Sequence, residues 1–287
     1  MIGQAERLIR LKNLEKNKPK AGDLKIICFT SGKGGTGKTF ISLSIAYILS
    51  TLNKKVLFID ADLNFANSNI LLNIIPKATI DNFFKGNKLL KEVITEYNSN
   101  FHLIFGESGE NEPLELKEEL VTRLFNGLNK SKENYDYIII DTASGGQKGL
   151  INLLSFSDIN VIVTSPEPTA VMDAYVMVKL LNCERYKGKK LILVNKCHSK
   201  EEGETAFNNI KTASDHFLKD SVEFLGYLNF DKKVVQSITK QELLILSNSS
   251  TQICDRLTQL TRSLTDIIQL ANIPHSDLDS ITNRSNF

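Results

Sequence analysis

Compact apolar runs alternate with longer segments of helical period along most of the chain. KIICFT (25–30), KVLFID (55–60), FHLIF (101–105), YDYIIID (135–141), DINVIVTS (158–165), KLILVNK (190–196) and the stretch around VEFLGYL (222–228) read as strands. Between them FISLSIAYILSTL (40–52) and the segments 113–130, 146–155, 168–183, 203–217 and 249–270 read as helices. Strands that are apolar almost throughout, separated by helices, predict an α/β fold. The expected form is a single domain with a mainly parallel central sheet covered by helices on both faces and right-handed crossovers. No repeat and no second core is evident.

The ends of the chain differ from this body. Residues 1–22 form an expected N-terminal arm, with Leu8, Leu11 and Leu14 at roughly helical spacing, six basic against two acidic residues, and Pro19 and Gly22 closing it. A leader helix packed on the body and a partner-binding helix are both compatible with this pattern. Residues 23–270 are the expected core domain. Its last helix carries Ile253, Leu257, Leu260, Leu264 and Ile267 as one apolar stripe, which predicts packing rather than an exposed anchor. Residues 271–287 form a polar C-terminal tail without the wide apolar stripe of a membrane-surface helix.

Composition excludes several classes. The chain has 287 residues, 41% hydrophobic and 24% charged, with 35 basic and 33 acidic side chains and a formal charge of +2. Such a balance gives no whole-molecule reason to expect nucleic acid. No apolar stretch reaches transmembrane length and the first residues are charged, so a cytoplasmic protein is expected. Cys28, Cys183, Cys197 and Cys254 lack CxxC spacing and read as buried thiols of a reducing compartment.

The strongest chemical signal is SGKGGTGKT, Ser31 to Thr39, placed between a strand and a helix. It contains GxxxxGK[ST] from Gly32 through Gly34, Gly35, Thr36 and Gly37 to Lys38 and Thr39. Glycines let successive backbone N–H groups curl around phosphate oxygens, and the helix start adds its positive end. Lys38 is suited to the β- and γ-phosphates of a nucleotide, and the Thr39 hydroxyl to a Mg²⁺ shell. Lys33 gives the loop the deviant KGGxGKT form, with a second cation able to stabilise charge on transferred phosphate oxygens.

Strand ends supply carboxylates. Asp60 closes VLFID, Asp62 follows two residues on, and Asp141 closes YIIID in the manner of a Walker B acid, with Gly145 completing a DxxxG-like pattern. In a parallel sheet these positions face the ligand crevice. Asp60 and Asp141 are candidate metal residues and Asp62 a candidate for placing the attacking water, although the residues alone do not separate the two roles. Asn195 and Lys196 end a later strand, where an Asn amide can read a purine edge. Glu167 stands at a helix start and is a weaker candidate for contact with a base or a second subunit.

Together SGKGGTGKT, DADLNFANSNILL, YDYIIIDTASG, TSPEPTAVMDAY and LVNKCHSKEEGETAF resemble the MinD/ParA class of SIMIBI P-loop ATPases. Within it they resemble the FlhG-type regulators of flagellar number and placement, also called YlxH or FleN. The resemblance implies ATP/ADP and Mg²⁺ as cofactors and an ATP-dependent homodimer as the working state. It gives Lys33 the role of the signature lysine reaching a partner subunit's nucleotide, Lys38 that of the phosphate lysine, and Thr39, Asp60 and Asp141 the metal region. Asp62 becomes the water-positioning acid, Asn195 the adenine reader, and Asn67 part of a nucleotide-responsive switch.

The same resemblance implies partners: the flagellar signal-recognition-type GTPase FlhF, flagellar switch or basal-body proteins, and the inner face of the cell membrane. Three departures qualify it. Gly3 replaces the Asp of the DQAxxLR-like start, although Gln4, Ala5 and Leu8 remain. The polar tail replaces an amphipathic membrane helix, so membrane contact is expected to be weak or conditional. Asn229 stands where relatives usually carry Pro. The alternatives are a ParA/MinD-like ATPase that positions cargo on DNA or membrane, and a metabolic or metal-cluster assembly ATPase of the same fold. The missing CxxC pairs argue against the metal-cluster branch.

Overall fold

The computed structural model describes residues 24–63, 66–107, 116–131, 133–146 and 148–271. The expected arm, 1–22, and all of the expected tail beyond Ala271 lie outside the described residues. Eight strands are found there: β1 (Lys25–Thr30), β2 (Val56–Ala61), β3 (Ile94–Asn98), β4 (Phe101–Ile104), β5 (Tyr137–Thr142), β6 (Ile159–Thr164), β7 (Lys189–Cys197) and β8 (Glu223–Asn229). They form one sheet in the order β3-β4-β2-β5-β1-β6-β7-β8, parallel except for the antiparallel edge pair β3–β4. In chain order the helices are α1 (Lys38–Thr51), α2 (Ser68–Leu71), α3 (Ile80–Phe84), α4 (Leu90–Val93), α5 (Glu118–Lys130) and α6 (Lys148–Leu154). They continue with α7 (Pro168–Cys183), α8 (Lys200–Ala213), α9 (Lys232–Thr239), α10 (Leu244–Ser247) and α11 (Gln252–Ala271).

The strands are apolar on both sides because both faces are covered. In β1, Ile26 and Cys28 point into one core while Ile27 and Phe29 point into the other; Leu57 and Ile59 against Val56 and Phe58 repeat this division in β2. The period of two along a strand produces the separation. The first core is closed by side chains of α5 to α8, among them Leu124, Leu153, Met177 and Ile210. The second is closed by α1 and α11. Helix α1 buries Phe40, Ile41, Leu43, Ile45, Ala46, Ile48 and Leu49, since it is enclosed by the sheet and α11. In α11 Ile253, Leu257, Leu260 and Leu264 of the expected stripe are buried, and Ile268 rather than the partly buried Ile267 continues it, so this helix is a packed element.

Two expectations need correction, the helix over 203–217 and the burial of all four cysteines, and β3 and five short helices were not expected. β3 carries no alternating apolar pattern, its residues running from partly buried to exposed, and only pairing with β4 makes it a strand. The helix expected over 203–217 starts at Lys200, where the Ser199 hydroxyl caps it, and gives way to a π-helical turn at Ser214–Leu218. The short helices α2, α3, α4, α9 and α10 were too brief to show a period. Finally, Cys28, Cys197 and Cys254 are buried as expected but Cys183 is exposed, because it ends α7 at the surface.

Candidate nucleotide site

The strand order places the phosphate loop centrally. β1 has β5 on one side and β6 on the other, so chain direction across the sheet reverses at β1, and the loop 31–37 leaves its carboxyl end at that switch point. Two glycines are demanded by geometry. A Cβ on Gly32 would lie 2.3 Å from the Asp173 carbonyl oxygen, so the loop's first turn presses against the backbone of α7. Gly37 adopts φ +89 at the start of α1, where its carbonyl accepts from Ile41 N–H at 3.1 Å. A Cβ there would also lie 2.4 Å from Asn195 Nδ2.

Other elements hold the loop. Asn195 Nδ2 donates to the Thr36 carbonyl at 2.8 Å and Lys196 Nζ to the Gly35 carbonyl at 2.7 Å. Gly145 N–H, from the loop after β5, donates to the Ser31 carbonyl at 2.9 Å. Asn195, expected at a purine edge, therefore has its amide nitrogen engaged by the phosphate loop in this structure. Lys33 is exposed and turns back onto its own chain, with Nζ 3.1 Å from Glu167 Oε2 and 3.5 Å from Thr169 Oγ1. Such a surface pair contributes under about 1 kcal/mol and exchanges readily. Glu167, expected against a base or a second subunit, is that lysine's partner here.

Asp60 and Asp141 sit directly opposite each other on β2 and β5, both 1% exposed. Around Asp141, Lys38 Nζ donates to Oδ1 at 2.9 Å, Thr39 Oγ1 to Oδ2 at 2.6 Å and Ser42 Oγ to Oδ1 at 3.1 Å. Lys38 is itself only 7% exposed, which makes this a buried, hydrogen-bonded ion pair. Asp60 has a different shell. Its Oδ2 accepts from Ser68 Oγ at 2.6 Å and Ser68 N–H at 3.1 Å, and its Oδ1 from Asp62 N–H at 3.2 Å. Burial, and then the neighbouring Asp141 carboxylate, push the Asp60 carboxyl up to about 6, against the opposing pull of the Ser68 bonds and Lys38.

A cavity of about 480 Å³ opens over the loop, lined by Gly34 to Phe40 and by Asp62, Asn67, Ile70, Leu71, Ser144 and Ile238. Its lining is cationic and hydroxylated at the phosphate loop and apolar at Ile70 and Ile238. The Thr36 hydroxyl is buried and has no hydrogen-bond partner among the described residues. An unpartnered hydroxyl in the phosphate loop, a buried lysine and the Thr39 hydroxyl backed by the Asp141 carboxylate together fit a Mg²⁺-nucleotide.

The sequence reading did not single out Ser42 or Ser68. Ser42 lies three residues after Thr39 on the same face of α1, so helical spacing alone could have found it. Ser68 is eight residues beyond Asp60 and has no periodic relation to it.

The comparisons with known proteins agree with this geometry. The AAA domain family model matches residues 24–191. The antiactivator FleN of Pseudomonas aeruginosa is 29% identical over 218 residues, covering 76% of this chain and 78% of its own. The flagellum site-determining protein YlxH of Helicobacter pylori is 30% identical over 248 residues, 85% of this chain and 84% of its own. Among solved structures, the MinD cell division protein of Aquifex aeolicus superposes with a TM-score of 0.68 at 25% identity, over 84% of this chain and 97% of that one. The chain belongs to the AAA domain family, as a MinD/ParA-type P-loop ATPase of the lineage that includes FleN and YlxH.

Proposed function

We propose that this ATPase is a Mg²⁺-dependent switch that sets flagellar number or placement through nucleotide-dependent dimerisation. The observation that carries the chemistry is the cluster in which Lys38 and Thr39, both lining the cavity, bond to the buried Asp141 behind them. Lys38 moves from Asp141 to the β- and γ-phosphates of ATP, and the loop residues Gly32 to Thr39 wrap the phosphate chain. Thr39, Asp141 and Asp60 are the residues that hold the metal. Held there, a Mg²⁺ ion would supply positive charge to offset that of the phosphates during phosphoryl transfer. Asp62, beside the cavity, orients the attacking water.

Lys33 leaves its weak pair with Glu167 and reaches the nucleotide of a second subunit, where a cation stabilises charge on the transferred group. Asn195 and Lys196 release the loop carbonyls and turn to the base. The product is ADP and phosphate, and the useful output is a change in dimerisation and partner affinity. The flagellar reading is supported by the similarity to YlxH of Helicobacter pylori, a flagellum site-determining protein. It implies FlhF and switch or basal-body proteins as partners, and a cytoplasmic protein with weak or conditional contact at the inner face of the membrane. Among the described residues no helix is long and apolar enough to cross a membrane.

ATP hydrolysis and molecular mass, measured together with Mg²⁺ across protein concentration and with or without purified FlhF, test this reading. ATP-dependent dimers and a mutual change of activity support it. Hydrolysis with no dimer and no response to FlhF leaves the ATPase standing and removes the flagellar role. A second reading, positioning on DNA or membrane without a flagellar partner, is favoured by septum site-determining MinD relatives and by ParA-type structures of the same fold. Salt-sensitive DNA binding or sedimentation with anionic vesicles, in ATP and not in ADP, would support it.

A further inference from the structure

Helix α2 forms one wall of the nucleotide cavity, yet it spans only Ser68–Leu71. Four residues cannot sustain a helix by their own hydrogen bonds, so its position depends on what its side chains grip. On one side Leu71 is buried in the core beside α1, as is the following Leu72. On the other, Ser68 is fully buried and directs both its hydroxyl and its backbone N–H to a single oxygen of Asp60. The second oxygen of Asp60 accepts from Asp62 N–H. One carboxylate at the end of β2 thus ties down Asp62, where the chain leaves the strand, and Ser68, where the wall begins.

We propose that Ser68 is a positioning residue of the ATPase site, coupling the Asp60 carboxylate to the cavity wall that carries Asn67 and Ile70. This rests on the reading of Asp60 as a metal-region acid. Asp60 lies opposite Asp141, and each acid has a different tether: Lys38 holds Asp141, and Ser68 holds Asp60. A shift of the Asp60 carboxylate as the metal-nucleotide arrives is transmitted through the 2.6 Å hydroxyl bond to the first residue of α2, and Asn67 and Ile70 move with it. By linkage, a wall held in place favours the carboxylate position that accepts the metal. The simpler alternative is that the Ser68 hydroxyl is buried and needs any acceptor, with no bearing on the site.

Ser68→Ala removes the hydroxyl bond and keeps the backbone one. Amide hydrogen exchange of nucleotide-free protein reads the tie directly, and the Mg²⁺ concentration for half-maximal ATP turnover reads its consequence. The expected result for Ser68→Ala is exchange about tenfold faster over residues 66–72, with β1 and α11 unchanged, and a Mg²⁺ requirement raised several-fold at similar maximal turnover. Ser68→Thr, which keeps a hydroxyl, is expected to restore both. Wild-type exchange and Mg²⁺ requirement in Ser68→Ala overturn the proposal. Faster exchange spread equally through β1 and α11 also overturns it, since that is the mark of a purely structural residue. If the wild-type protein itself hydrolyses no ATP, the ATPase reading fails, while the exchange pattern still decides whether Ser68 holds the wall.

Discussion

Asp60 and Asp141 are the same residue type at the same height on two adjacent parallel strands, equally buried, and their surroundings are opposed. Asp141 is met by a buried lysine and two hydroxyls. Asp60 is met by one serine and a backbone amide, all uncharged. A buried carboxylate with a cation in contact is a stable feature of the nucleotide-free protein. A buried carboxylate whose donors are neutral and whose neighbour is another carboxylate carries unfavourable charge until a cation arrives. The contrast teaches that one of the two acids has its charge balanced within the protein, whereas the other meets only uncharged donors and, under the proposed function, would be balanced by the metal.

Lys38→Ala tests the comparison most severely. It leaves Asp141 buried without its cation, for which a destabilisation of about 3–5 kcal/mol is expected. Loss of the phosphate contact should lower ATP turnover by about 10²–10³-fold. Urea denaturation and phosphate release check the two effects. An unaltered stability would mean that Asp141 does not depend on its lysine.

Asp60→Asn gives a pH-dependent effect. The folded carboxyl is raised to about 6 from an ordinary 3.8, so its contribution to stability is fully present below about pH 4 and is lost as pH rises through 6. Without nucleotide, the wild-type protein should therefore lose stability relative to Asp60→Asn across that window, by on the order of 2 kcal/mol. Thermal melts of both proteins from pH 4 to 7 read the difference. A wild-type protein that gains on the variant over this range would show that Asp60 is already paired with positive charge.

Ser42→Ala is the smallest change. It removes one of three donors to Asp141, with an expected cost of about 1 kcal/mol and little change in turnover. A loss of turnover as large as that of Lys38→Ala would place Ser42 among the phosphate or metal contacts.

Much of this was legible in the sequence, for physical reasons that differ by region. Strands buried on both faces announce themselves as continuous apolar runs, so all but β3 could be read, together with the phosphate loop between β1 and α1. β3 depends on pairing with β4 and on the edge-to-face contact of Tyr97 with Phe101, 5.8 Å between ring centres, which no local pattern encodes. Lys38 and Thr39 could be picked out as candidates from the loop motif, and Asp60 and Asp141 from their places at strand ends. Their division into a cation-paired acid and a serine-held acid was not, because Lys38 and Asp141 are 103 residues apart and Ser68 follows Asp60 across a non-repeating loop. Asn195 illustrates the same limit: its place at the end of β7 was legible, but its bond to the Thr36 carbonyl depends on the missing Cβ of Gly37.

The Mg²⁺ dependence of ATP turnover, measured for the wild-type protein, Asp60→Asn and Asp141→Asn alongside their stability without nucleotide, tests the division of labour most directly. Both variants should need far more Mg²⁺ than the wild type, and only Asp141→Asn, which strands the buried Lys38 charge, should also be markedly less stable at neutral pH. Mg²⁺-independent hydrolysis by the wild type, or variants that match its Mg²⁺ requirement, would contradict the account.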